Sequence, residues 1–298
     1  MKIRFFAILA AMVLTTPAFA SSYVFYTSVL GLRASSGAPD NAVSPPANCT
    51  PGTATFAYTG AAQAFTVPAG CSQMSVVAWG AGGGSSSVSG GNGGAGAYAA
   101  GTFSVTGGQQ YTIVVGRGGF IGSPSAQGAV YGGGGTGGGG YAQFYAFAGS
   151  GGGGSFVQFN GADLLVAAGG GGGGWWGGQS GSSISYFTQL GNDARVASST
   201  GNVSTSDAGT SSSASGGGGG GHNGGAAGNF TGGPSYAYAN GGYGGVSYIY
   251  PSATGSSSVA GSNGTAPMTS SSDYAAGIGG GGKNLSVGGN GRVVIHYQ

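Results

Sequence analysis

Apolar residues recur in short runs of four to eight positions along the chain, and glycine rather than charge separates one run from the next. FAYTG (56–60), AFTVP (64–68), MSVVAWG (74–80), YAAGTFSV (98–105), YTIVVG (111–116), SFVQF (155–159), DLLVAA (163–168) and RVVIHYQ (292–298) are rich in valine, phenylalanine and tyrosine. None holds the 3.6-residue period of an amphipathic helix, so each predicts a β-strand. Asn160-Gly161 between two of the runs is the strongest two-residue hairpin signal available. Thr106-Gly107-Gly108-Gln109 predicts a second hairpin, between 98–105 and 111–116. Turn-linked strands with almost no helix predict an all-β protein, an antiparallel sandwich of jelly-roll type.

Between the strands lie glycine tracts at 132–135, 137–140, 151–154, 169–174, 216–221 and 279–282, within a total of 74 glycines. Ordering glycine is entropically expensive, so fixed tracts need partners for their N–H and C=O groups. The left-handed three-residue helix points every backbone group outward, and glycine alone lets such helices pack closely enough to bond to one another. Six glycines in that form span about 19 Å, close to the roughly 20 Å of a six-residue strand. The tracts therefore predict a polyglycine-II helix bundle inserted into the sandwich. The competing reading is mobile linker, but 40% hydrophobic and 11% aromatic residues exceed what a solvated linker carries.

The first twenty residues change the setting. Lys2 and Arg4 precede an apolar run from Phe5 to Leu14 and an Ala18-Phe19-Ala20 cleavage site, the pattern of a secretory signal peptide. Residues 21–50, with four prolines between Ala38 and Pro51, read as an extended N-terminal segment that includes a strand-like run at 23–32, and 51–298 as the glycine-rich β domain. Export predicts a secreted, extracellular protein, or one held at the cell surface. Cys49 and Cys71, the only cysteines, are expected to pair there.

Charge excludes several partners. Without the signal, five basic residues (Arg33, Arg117, Arg195, Lys283, Arg292) face five aspartates. Such a chain offers neither a basic stripe for nucleic acid nor a polybasic patch for anionic lipid, and no second apolar segment predicts stable membrane insertion. Low charge also weakens protection against self-association.

Titratable chemistry is equally sparse. No Gly-x-Ser-x-Gly elbow, P-loop or zinc-type ligand cluster occurs, and the many G-x-G-x-x-G strings follow from glycine content alone. No cofactor and no catalytic residue are expected. His296, in the closing strand, reads as structural or surface, and His222, at the end of a six-glycine run, as exposed at a loop tip. The candidate ligand-binding residues are aromatic: Trp175 and Trp176 at the end of the six-glycine run 169–174, and Tyr236, Tyr238, Tyr243, Tyr248 and Tyr250 in a later segment. Such rings give contact area at low entropic cost; the alternative is that they cap the bundle.

AFTVPAGCSQMSVVAWGAGGG, GAGAYAAGTFSVTGGQQYTIVVG, GGGGSFVQFNGADLLVAAGGGGGG and GGNGRVVIHY together resemble the glycine-rich domain of anaplastic lymphoma kinase and leukocyte tyrosine kinase ectodomains and its bacterial and phage relatives. The resemblance covers about residues 54–298 and implies a β-sandwich fused to polyglycine-II helices. In the receptors that domain takes part in ligand recognition, and some phage adhesins present binding loops from stacked glycine helices. This chain departs from the receptors in having no kinase segment and from the phage proteins in carrying an export signal. The expected function is a non-enzymatic surface or extracellular-matrix module, adhesive or self-assembling. The alternative is a receptor-like module binding a defined protein or glycan. The partner is thus a cell surface, a glycan, a protein or a second copy.

Overall fold

The structure is a computed structural model that describes residues 48–87, 91–123, 129–138, 147–174, 176–177, 215–228, 230–233, 236–239 and 241–298. The signal, the run at 23–32, Trp175 and the segment 178–214 lie outside these residues. Residues Pro45–Gln298 form one compact unit.

The described residues are all-β. Thirteen strands run in chain order as β1 (Gly52–Ala57), β2 (Gln63–Thr66), β3 (Gln73–Trp79), β4 (Tyr98–Ser104), β5 (Gln110–Val114), β6 (Ser155–Phe159), β7 (Ala162–Ala167), β8 (Trp176–Gly177), β9 (Phe230–Gly233), β10 (Tyr236–Ala239), β11 (Tyr248–Ile249), β12 (Thr254–Val259) and β13 (Arg292–Tyr297). Two five-stranded antiparallel sheets have the orders β1-β13-β3-β4-β12 and β11-β7-β6-β5-β2, and β8-β10-β9 form a small third sheet.

Alternation decides which side chains form the core. From the first sheet, Met74, Val76, Ala78, Ala99, Phe103, Val293 and Ile295 face inward; from the second, Phe65, Tyr111, Ile113, Val157 and Leu165 meet them. This is the sandwich expected from the pattern. Cys49 and Cys71 form a disulfide across 22 residues of sequence, at the edge of that core.

Asn160 and Gly161 turn the chain between β6 and β7 with φ of 50° and 78°, as a hairpin of primed type requires. The second predicted hairpin is corrected. Thr106–Gln109 does turn, Gln109 N–H donating to the Thr106 carbonyl at 3.1 Å, yet β4 lies in the first sheet and β5 in the second. The turn carries the chain across the sandwich because β5 pairs with β2, and Val67 and Gln109 extend that ladder.

Beyond the ends of the strands the glycine tracts pack on one another. In 80–87, successive N–H groups donate to Ala97, Gly153, Gly289, then Gly94, Ser150, Ser286, then Gly91 and Phe147. The partner changes at each residue and returns every third one. Its carbonyls rotate likewise: Ala81 and Gly84 accept from Gly170 and Gly173, Gly82 and Ser85 from Gly119 and Gly122, and Gly83 from Gly282. Tract 147–154 repeats the rule, with Gly149 and Gly152 donating to Gly173 and Gly170, Ser150 and Gly153 to Phe120 and Arg117, and Gly151 and Gly154 to Gly135 and Gly132. The carbonyls of Gly216 to Gly220 accept in turn from Gly228, Gly172, Gly135, Gly225 and Gly169. Close approach accounts for the residue type. A Cβ at Gly152 would collide with the backbone carbonyls of Ala81 and Gly82, and one at Gly83 with the carbonyl of Gly171.

Candidate functional site

The aromatic candidates separate into three environments. Trp175 lies outside the described residues. Trp176 stands opposite Tyr238 in the β8-β10 ladder, and Tyr236 opposite Gly233 in the β10-β9 ladder. Tyr243 is built into the glycine bundle by its backbone, with its N–H donating to the Ala226 carbonyl and its carbonyl accepting from Gly219, and its side chain is half-buried. Tyr248 pairs with Val166 at the edge of the second sheet, and Tyr250 is 48% exposed just beyond it.

His222 is not at an exposed loop tip: the structure buries it completely. Its six-glycine run is enclosed by neighbouring tracts, so the end of the run reaches the second sheet instead of solvent. There the His222 Nδ1–H donates to Asp163 Oδ2 at 2.9 Å, and its ring stacks on Tyr248 with centroids 4.2 Å apart. Asp163, from β7, is also buried, and its other oxygen accepts from Gln158 Nε2 at 2.9 Å. A carboxylate in such surroundings needs these donors, because the desolvation of an ion is otherwise uncompensated. Burial, then Tyr250, then the Asp163 carboxylate raise the Tyr248 phenol above its ordinary pKa.

A more accessible polar arrangement lies on the outer face of the first sheet. Register sets Thr53, His296, Ser75, Thr102 and Thr254 side by side across β1, β13, β3, β4 and β12. His296 Nε2–H donates to Asp273 Oδ2 at 3.0 Å, which leaves Nδ1 to accept from the Thr53 hydroxyl at 2.9 Å. Ser75 and Thr102 share a hydrogen bond of 2.7 Å. Asp273 comes from the connection between β12 and β13, which also covers Trp79: Tyr274 packs edge-on against that indole, and Trp79 Nε1–H donates to the Pro267 carbonyl at 2.9 Å. Beside His296, at the β1-β13-β3 end, opens a cavity of about 330 Å3.

Sequence reasoning placed His296 in the closing strand; the register that gathers Thr53, Ser75 and Asp273 around it was not readable. Pairing of residues 243 positions apart leaves no local signal. Among the described residues no three histidine, cysteine or acidic side chains come together as a metal site.

The chain matches no protein-family model, and no curated protein matches it.

Proposed function

We propose that this chain is a secreted, non-enzymatic glycine-rich module of a cell surface or extracellular matrix, adhesive or self-assembling. The observation that carries the reading is the three-residue rotation of hydrogen-bond partners among the glycine tracts. It supports a polyglycine-II bundle, because a three-residue helix directs consecutive N–H groups to three neighbours in turn. A rigid bundle anchored on a sandwich is a means of holding out the segments inserted between its tracts, as the resemblance to glycine-rich receptor domains and phage adhesins implies. The disulfide fits an oxidising compartment. No helix among the described residues is long and apolar enough to cross a membrane. Low charge and aromatic insertions suit contact with a neutral surface or with a second copy.

The alternative, a receptor-like module, draws on one arrangement: the register of the small sheet sets Trp176 opposite Tyr238. Either use needs the bundle, and the two part at the aromatic residues. The mature protein, starting near Ser21, is expected to adhere to cells or matrix components, or to form oligomers in sedimentation as concentration rises. Exchange of Trp175 and Trp176 for alanine with the fold retained should abolish binding to one ligand if the module is receptor-like. A protein that stays monomeric and adheres to nothing contradicts the adhesive or self-assembling reading.

A further inference from the structure

We propose that the outer face of the first sheet carries a binding site for a neutral oligosaccharide, with one sugar in the cavity beside His296 and the chain continuing over Ser75 and Thr102. The inference rests on the adhesive reading above and gives it a ligand class, at a place separate from the aromatic insertions.

The cavity measures about 330 Å3, at the small end of ligand sites and ample for one sugar ring. Its lining includes Thr53, Gln73, Ser75, His296, Tyr297 and Gln298. The hydroxyl and amide groups both donate and accept, as sugar hydroxyls do, and none of these six side chains brings a fixed charge to attract a phosphate or an ammonium group. The acceptors and donors are also held in place. Asp273 fixes the His296 tautomer, His296 orients the Thr53 hydroxyl, and Gln298 Nε2 donates to Gln73 Oε1 at 3.0 Å. Groups ordered before binding lose less entropy when a ligand arrives.

The row extending from the cavity gives the direction. Neighbouring strands are about 4.8 Å apart, so Thr53, His296, Ser75, Thr102 and Thr254 offer one polar side chain at each such step. That interval is close to the length of a sugar unit in an extended chain, so successive units would meet successive side chains. Thr53 and Thr254 are exposed, and His296, Ser75 and Thr102 are half-buried, leaving the row open from the side.

The test is an array of neutral hexasaccharides built on glucose, mannose and N-acetylglucosamine, with sulfated and sialylated glycans alongside, probed with mature protein. At least one neutral series is expected to bind. Thr53→Val, which keeps shape and removes the hydroxyl, and Ser75→Ala should each weaken that binding tenfold or more, with circular dichroism and melting temperature unchanged. Trp176→Ala should leave it intact. Binding confined to charged glycans overturns the proposal, as does neutral binding indifferent to Thr53 and Ser75. Covalent labelling of Thr53 by a fluorophosphonate, lost in Thr53→Val, would overturn it in favour of acyl transfer by the hydroxyl, imidazole and carboxylate in series. Adhesion to cells by both variants without any glycan binding removes the sugar site and leaves the module reading standing, whereas failure of the native protein to adhere or associate removes that reading.

Discussion

His222 donates to Asp163 across 59 residues of sequence and with both side chains buried, which fastens the end of a glycine tract to strand β7 of the sandwich. The two parts of the molecule are therefore joined by a polar contact that neither could satisfy alone. Removing one member of a buried pair leaves the other desolvated, at a cost of about 3 kcal/mol. His222→Ala and Asp163→Ala should each destabilise the protein by about that amount in urea unfolding. The double variant should be less destabilised than the sum, because the second loss removes the charge that the first stranded. Additive single effects would show that the pair does not couple tract and strand.

Glycine positions in the bundle should differ sharply in tolerance. Gly152 faces the carbonyls of Ala81 and Gly82, whereas the nearest atom to a Cβ at Gly280 is the Gly264 carbonyl oxygen at 4.0 Å. Gly152→Ala must push backbones apart and should cost about 3 kcal/mol or prevent folding. Gly280→Ala should stay within about 0.5 kcal/mol of the native protein. Thermal melts of the two variants make the comparison, and equal effects would contradict close packing at Gly152.

Alkaline pH should act through Tyr98. Burial first and the Asp273 carboxylate second raise its phenol above the ordinary value of 10.0. A raised pKa in the folded state means that the stabilising contribution is complete below pH 10 and declines as pH rises through the folded value. Tyr111 is raised by burial in the same direction. Unfolding midpoints measured from pH 8 to 11.5 should therefore fall above about pH 10, and Tyr98→Phe should make that fall shallower. A fall of unchanged steepness in Tyr98→Phe would assign the alkaline loss to other groups.

The strands of the sandwich were legible because they are short runs rich in valine, phenylalanine and tyrosine, without a helical period and set off by glycine. β6 matches the run at 155–159 residue for residue, and β3, β4, β5, β7 and β13 lie within a residue or two of theirs. β12 was not legible. Its sequence TGSSSV is exposed along nearly its whole length, so the strand owes its existence to backbone pairing with β4 rather than to any apolar face. The two-residue strand β11 gave no pattern long enough to read. At Thr106–Gln109 the turn chemistry was right and its consequence wrong, since a four-residue turn looks the same whether it stays in one sheet or crosses to another.

The polar residues were harder to read for a related reason. His222 followed six glycines, and such a run resembles a loop until its neighbours are known. The partners that enclose it come from five other stretches of the chain, at 135, 149–152, 169–172, 225–228 and 243. For His296 the strand was evident from alternation, but Asp273 lies in a connection with no strand pattern and Thr53 at the opposite end of the domain. Strand order brings Thr53 beside His296, and the β12–β13 connection brings Asp273.

A strand inside a sheet is tied on two sides, and tension applied to it is resisted within one plane. The stretch 80–87 is tied by backbone hydrogen bonds to 91–97, 147–153, 286–289, 170–173, 119–122 and 282, more neighbours than a sheet gives one strand. A pull on that stretch is thus shared among all of them. The adhesive module proposed above would gain holding strength from backbone alone.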